Sequence, residues 1–253
     1  MRLVDGAGSN EPMAEKSMQA VILAGGLGTR MRPITETVPK PMITVAGKPF
    51  LQHQLELLSG AGIERALLLV AYLGEQIQEY FGDGTKFGCD TSYSFEPSPL
   101  GTGGALKNAE AQLRDRFVLM NGDTYLAIDY RALMKEFAAA DCSALIVAYE
   151  RPGIVSQHVP ANALPNNLAV NSRGRVTAYR KWNPEGLSHI DAGVIVLKKE
   201  ILAGLRAGQK CSLEEEIYPS LIERDEMRAW VTHEPFYDMG SAAGLAALEE
   251  KLK

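Results

Sequence analysis

Short apolar runs alternate with helix-patterned stretches from Met18 to about Ala148, and this rhythm limits the possible folds more than any other feature of the chain. Gln19 to Leu23, Arg65 to Ala71, Thr91 to Phe95, Phe117 to Asn121 and Ala144 to Ala148 read as strands. Between them Leu51, Leu55 and Leu58 recur at helical spacing, and Gly60 and Gly62 close that helix. Leu73 to Phe81, Thr102 to Leu113 and Tyr130 to Ala139 read as further helices. Strands alternating with helices predict an α/β fold, a largely parallel sheet covered by helices on both faces. Ligands of such sheets sit at the carboxyl ends of the strands, which is where the chemistry is expected.

After Glu150 the rhythm changes. Leu168 to Asn171 and Arg175 to Lys181 flank Ser-Arg-Gly and predict a hairpin. Asp191 to Leu197 and Met227 to Thr232 read as strands. Ser212-x-x-Glu215 reads as a capping box that opens a helix to about Glu223, and Ser241 as the cap of a terminal helix. This organisation predicts one domain over 18–253, with a first part over 18–150 and an α+β insertion over 151–253 folded onto its sheet. Residues 1–17 carry Gly, Ser, Asn, Pro and charges without an apolar core, so they read as a disordered extension rather than a signal peptide.

Composition removes several function classes. Lys and Arg number 26 against 31 Asp and Glu, a net charge of −5, so a duplex nucleic acid is not an expected partner. The longest apolar run, Ala66 to Leu73, is too short to span a membrane. Cys89, Cys142 and Cys211 form no C-x-x-C pair, which fits a reducing, cytoplasmic location. Homo-oligomerisation stays open.

The strongest local chemistry is Leu23-Ala-Gly-Gly-Leu-Gly-Thr-Arg30, directly after the first strand. Its glycines admit an anion to the backbone N–H groups, and Arg30 adds forked, charge-assisted hydrogen bonds. No Gly-Lys-Ser/Thr follows, so it is not a P-loop, and the third glycine of a dinucleotide fingerprint is missing. Downstream, Pro39 and Pro41 hold Lys40 on a segment expected to be extended and stiff. The four histidines show no metal-ligand spacing: His53, His158, His189 and His233 read as structural or surface residues. Met31, Met42 and Met239 read as core filler, Asp129 as a helix cap, and Glu214 to Glu216 as a solvated face.

Taken together, G-x-G-T-R, Pro39-Lys-Pro41, Pro97-Ser-Pro-Leu-Gly-Thr-Gly-Gly104, Asn121-Gly-Asp123 and Tyr237-Asp-Met-Gly240 resemble the signature of sugar-1-phosphate nucleotidyltransferases. The blocks stand in that family's order from Met18 to about Leu252. They look most like those of mannose- and D-glycero-D-manno-heptose-1-phosphate guanylyltransferases; uridylyltransferases acting on N-acetylmuramate 1-phosphate show a similar pattern. The resemblance implies a Rossmann-like fold of the nucleotide-diphospho-sugar transferase type, without the long carboxy-terminal β-helix domain of some relatives. It implies a sugar-phosphate oxygen attacking the α-phosphorus of a nucleoside triphosphate, with Mg²⁺ present and pyrophosphate leaving.

Carried onto this chain, the resemblance makes Arg30, Lys40 and Asp123 catalytic and gives Asp123 and Asp238 to the metal. Leu23, Ala24, Gly25, Gly26, Gly28, Thr29, Arg30, Glu96, Gly101, Thr102 and Gly103 would bind the nucleotide. Asn121, Lys181 and Asp191 would bind the sugar phosphate, with Arg180 an alternative to Lys181. Glu96 can only accept hydrogen bonds when ionised, which suits the N1–H and N2–H₂ of guanine. GTP with a heptose or mannose 1-phosphate is therefore the favoured pair, and UTP or dTTP with another sugar 1-phosphate the alternative. Such products feed capsule or lipopolysaccharide in the family. Two departures bear on the sugar pocket: Asp191 stands where the family usually has Asn, and His158 to Pro165 replaces a Tyr-Gly segment. A non-catalytic nucleotide-sugar-binding subunit is the reading from another class; a glycosyltransferase would normally need an Asp-x-Asp that Asn121-Gly-Asp123 lacks.

Overall fold

The computed structural model describes residues 18–151, 164–181, 183 and 185–253. The expected extension over 1–17 and most of the His158 to Pro165 segment lie outside the described residues. In chain order the strands are β1 (Ala20–Leu23), β2 (Thr44–Val45), β3 (Lys48–Pro49), β4 (Arg65–Val70), β5 (Asp90–Phe95), β6 (Arg116–Asn121), β7 (Thr124–Leu126), β8 (Ala144–Tyr149), β9 (Leu168–Val170), β10 (Val176–Tyr179), β11 (Ile190–Lys198), β12 (Met227–Thr232) and β13 (Phe236–Asp238). The α-helices are α1 (Phe50–Gly60), α2 (Gly74–Phe81), α3 (Gly101–Asn108), α4 (Tyr130–Ala139), α5 (Tyr218–Glu223) and α6 (Ala242–Lys251).

Seven strands form the central sheet in the order β12-β8-β11-β6-β1-β4-β5. The β6-β1-β4-β5 half is parallel. β11 runs antiparallel to both β6 and β8, and β12 parallel to β8. The sheet is thus mixed and mostly parallel, as the strand–helix rhythm predicts. The chain leaves β1 towards β4 and β5, then crosses back to β6 on the other side. The strand order reverses at β1, and the crevice beyond its carboxyl end is where such sheets bind ligands.

Alternation along the strands explains how the sheet carries a core on each face. Ala20 and Ile22 of β1, with Ala66, Leu68 and Val70 of β4, face a cluster shared with α1, α2 and α4. Val21, Leu67 and Leu69 point the other way, to a cluster shared with α3 and α5. Each fully buried Leu or Ile contributes about 1.5–3 kcal/mol. A third cluster, Met31, Ile43, Val45, Phe50, Tyr237, Met239 and Leu248, ties the segment after the glycine-rich loop to β13 and α6. Met31 and Met239 are core residues, as expected.

Several local expectations shift. The α3 helix ends at Asn108 and a separate 3₁₀ turn covers Glu110–Gln112, because Ala109 N–H is shared among the carbonyls of the last turn. Lys40 opens a 3₁₀ turn (Lys40–Met42) instead of lying on an extended segment; a proline in the first turn forfeits no helical hydrogen bond, so Pro41 permits this. Asp129 caps α4, accepting from Ala132 N–H at 2.9 Å. Ser212 caps as expected, accepting from Glu215 N–H at 3.2 Å, but the return bond to Ser212 N–H comes from Glu216, not Glu215. The cause is a π-helical turn over Leu213–Ile217, whose extra residue rotates the glutamates. The hairpin forms as β9–β10, with Asn171 Oδ1 accepting from Arg173 and Arg175 N–H in its turn. Among the described residues no helix is long and apolar enough to cross a membrane.

Candidate active site

A cleft of about 450 Å³ opens at the carboxyl edge of β1 and β6. Leu23, Gly25, Gly26, Leu27, Gly28, Thr29 and Arg30 form one wall; Lys40, Glu96, Gly101, Thr102, Asn121 and Asp123 also line it. Gly25, Gly26, Leu27 and Gly28 make no hydrogen bond through N–H to any described residue. Four successive donors beside Arg30 are an arrangement suited to phosphate oxygens.

Lys40, Asp123 and Arg30 line this cleft, and Asp238, outside its lining, lies close enough to feel the charge of all three. Lys40 Nζ bonds Asp123 Oδ2, with the Lys40 side chain 11% exposed. β7 pairs with β13 so that Thr124 faces Asp238, and Met239 N–H donates to Asp123 O at 3.0 Å. Asp238 is therefore brought beside Asp123 from the far end of the chain. Burial raises the Asp238 pKa, the Asp123 charge raises it further, and the Gly240 N–H bond with Lys40 and Arg30 opposes both. Gly240 is needed here because a Cβ on it would stand 2.6 Å from Arg30 Nη2 and 2.8 Å from Asp238 Oδ1. The guanidinium thus lies close against the backbone after Asp238.

The two carboxylates fit a Mg²⁺ site. Among the described residues no group of three or more His, Cys, Asp or Glu is placed to hold a metal. An ion held by Asp123 and Asp238 would take its remaining ligands from phosphate and water, as Mg²⁺ usually does. The elevated Asp238 pKa, raised in part by its neighbour's charge, is consistent with a pair that a cation would stabilise.

Glu96 stands at the end of β5 with Oε2 accepting from Leu100 N–H at 3.0 Å. Its Oε1 lies 3.0 Å from where a Cβ on Gly25 would be, so any side chain there would crowd it. Burial raises its pKa against the Leu100 bond.

Other expected site residues have different jobs. Ala24 is buried and bonds Leu69 O, so it supports the loop without lining the cleft. Gly103 and Gly104 both give N–H to Cys211 O, at 2.9 and 3.1 Å, so the Gly103 N–H is already engaged and Gly103 does not line the cleft. Gly101 needs its φ of +73°, and a Cβ on it would meet Cys211 O at 2.7 Å. These glycines let α3 pack on the Cys211 backbone. Thr102 lines the cleft, but its hydroxyl donates to Glu214 Oε2 at 2.8 Å and accepts from Leu213 N–H at 2.8 Å. Lys181 is exposed just beyond β10 and, like Asp191, lies outside the cleft lining.

Asp191 belongs to a polar cluster behind the cleft. Its Oδ2 accepts from Tyr179 OH at 3.2 Å and its Oδ1 from Gly193 N–H at 2.9 Å. Gly193 abuts the cleft residue Asn121, since a Cβ there would sit 3.1 Å from Asn121 Nδ2. Tyr179 packs edge-on against Tyr218, ring centroids 5.2 Å apart. Burial pushes the Asp191 pKa up to about 6, and the Glu214 charge adds to this. Glu214 is thus no solvated residue: it joins Thr102 and Ser212 to the Asp191 cluster. Its only sequence signal was proximity to the Ser212 cap. The three described histidines have structural or surface partners: His53 meets Val45 O, His189 meets Ser188 Oγ and His233 meets Glu150, while His158 lies outside the described residues.

Comparison with known proteins bears on the family and the fold. The family model described as Nucleotidyl transferase matches residues 19–153. A D-glycero-alpha-D-manno-heptose 1-phosphate guanylyltransferase from Campylobacter jejuni is 33% identical over 223 residues, 88% of this chain and 95% of its own length. A mannose-1-phosphate guanylyltransferase from Mycobacterium tuberculosis is 32% identical over 235 residues, 90% of this chain but 63% of its own length. A UTP–glucose-1-phosphate uridylyltransferase from Synechocystis is 31% identical over 81% of this chain and 55% of its own length. The chain therefore spans less than two thirds of the latter two relatives. The crystal structure of HddC from Yersinia pseudotuberculosis superposes with a TM-score of 0.78 at 29% identity, covering 93% of this chain and 99% of that one. HddC has also been solved in complex with GMP-PN.

Proposed function

The chain belongs to the nucleotidyl transferase family, and on that premise we propose that it transfers a nucleotidyl group from a nucleoside triphosphate to a sugar 1-phosphate. The favoured pair is GTP with D-glycero-D-manno-heptose or mannose 1-phosphate, giving an NDP-sugar and pyrophosphate. The observation that carries the reaction class is a cleft lined by Arg30, Lys40 and Asp123, with Asp238 beside them and with loop N–H groups that are unpaired among the described residues.

A sugar phosphate is already an anionic nucleophile, so its attack on the α-phosphorus needs no general base. What the site must do is bring two polyanions together in line and stabilise charge as pyrophosphate leaves. Alignment supplies at most about 7–11 kcal/mol, and a donor preorganised for the developing charge about 3–4 kcal/mol. Arg30 and the Gly25–Gly28 N–H groups would grip the triphosphate. Lys40, little exposed and already oriented by Asp123, would present its ammonium at the reacting phosphate. Mg²⁺ held by Asp123 and Asp238 would neutralise phosphate charge.

The guanine preference rests on Glu96 and on the heptose- and mannose-type relatives. The ionised carboxylate has only acceptors to offer, which matches two donors on guanine and none of the carbonyl oxygens of uracil. The uridylyl relative keeps UTP as the second reading. Pyrophosphate release from four triphosphates against mannose, heptose, glucose and N-acetylhexosamine 1-phosphates, with and without Mg²⁺, tests both. Signal confined to GTP and manno-configured sugars supports the proposal; turnover with UTP or dTTP overturns the role of Glu96. Silence throughout, with tight nucleotide-sugar binding, would mark a regulatory subunit.

A further inference from the structure

We propose that Gln54, a residue of α1 outside the cleft lining, is a positioning residue that sets the place of Asp123. Gln54 is fully buried in the helix that also buries Phe50, Leu51, Leu55 and Leu58, where an apolar side chain would be the ordinary occupant. Its Nε2 donates one N–H to Asn121 O at 2.9 Å and the other to Thr124 O at 2.7 Å. Those carbonyls bracket Gly122 and Asp123, so a single amide spans the turn that presents the carboxylate. Its orientation follows from chemistry: with the amide reversed, an oxygen would face two carbonyl oxygens.

Besides the Lys40 ion pair with the Asp123 carboxylate, the turn is tied by backbone bonds. Gly122 N–H donates to Leu23 O at 3.1 Å, and Asp123 O accepts from Met239 N–H at 3.0 Å. They fix the turn to β1 and β13; the Gln54 bonds brace it from behind and set its width. Gln54 Oε1, meanwhile, is buried with no hydrogen-bond partner among the described residues. An orphaned buried carbonyl destabilises a core. The amide therefore stands at a stability cost, with the two bonds behind Asp123 as its evident return. Partners one layer behind a metal-binding carboxylate commonly change affinity or activity about 10–100-fold when removed.

This inference rests on the proposed role of Asp123, so D123N accompanies every measurement. Q54M keeps length and burial and removes both donors. In folded Q54M, kcat should fall about 10–100-fold with the KM for sugar 1-phosphate unchanged. Calorimetry with a non-hydrolysable GTP analogue should show the Mg²⁺-dependent gain in affinity reduced, and binding without Mg²⁺ unaltered. Q54M/D123N should bind and turn over as D123N does, because Gln54 acts through Asp123; additive losses would mean a merely structural role and overturn the proposal. Q54E keeps the volume and regains one donor when protonated, so its deficit relative to the parent chain should narrow as pH falls; a constant deficit overturns the proposal too. If D123N loses its Mg²⁺ dependence while Q54M matches the parent chain, Gln54 alone is misassigned. If D123N retains both turnover and Mg²⁺ dependence, the role of Asp123 falls and that of Gln54 with it.

Discussion

Replacing Asp191 by Asn should stabilise the protein at neutral pH and leave it unchanged in acid. Burial, with the Glu214 charge adding to it and the Gly193 N–H and Tyr179 hydroxyl bonds opposing it, raises its pKa from 3.8 to about 6. Between those values the folded chain holds a proton that the unfolded chain has released. Stability therefore declines as pH rises through this window and levels off above it. A shift of about 2 units, each worth about 1.4 kcal/mol, gives an upper bound near 3 kcal/mol. Asn at this position can keep the Gly193 bond through its oxygen and give an N–H to the Tyr179 hydroxyl oxygen. Denaturant unfolding of both chains at pH 4, 5, 6, 7 and 8 reads the difference directly. D191N should match the parent at pH 4, gain steadily to pH 7, and exceed it there by about 2–3 kcal/mol. A gain independent of pH would refute the linkage. A loss at pH 8 would show that the ionised carboxylate is stabilised in the fold.

D123N should lower turnover about 10²–10³-fold with an unchanged circular-dichroism spectrum, because volume is kept while Lys40 loses its charged partner; steady-state pyrophosphate release checks this. G240A pushes on Arg30 Nη2, so it should raise the KM for the triphosphate well above that for the sugar phosphate, a contrast that bisubstrate kinetics resolves. G101A combines a φ of +73° with a collision against Cys211 O, and should cost about 2 kcal/mol or more, read as a lowered denaturation midpoint.

What could be read from the chain alone follows from the range of the forces involved. The first strand and its glycine-rich loop are local features, an apolar run followed by residues without side chains, and they stand where expected. Asp123 was equally readable because it follows directly on an apolar strand at the ligand edge, in the turn after Asn121. Its pairing with Asp238 was not readable from spacing, because it depends on β7 meeting β13 and on the small core under Met31, Phe50 and Met239. Composition also misleads where one residue type serves two purposes. Gly25 to Gly28 and Gly101 to Gly104 look alike, yet the first group leaves its N–H groups unbonded among the described residues, while Gly103 and Gly104 spend theirs on Cys211 O. Glu214 and Gln54 are the opposite error, polar residues that look incidental in sequence. One lost its solvated role to a π-turn that rotated it towards Thr102. The other sits among leucines on a helix, and its two acceptors come from a turn that folding alone brings within reach. Donor and acceptor types are written in the chain, but which of them remain available to a ligand is decided by long-range packing. For that reason the Asp123 carboxylate was easier to single out than the Gln54 amide that bonds the turn behind it.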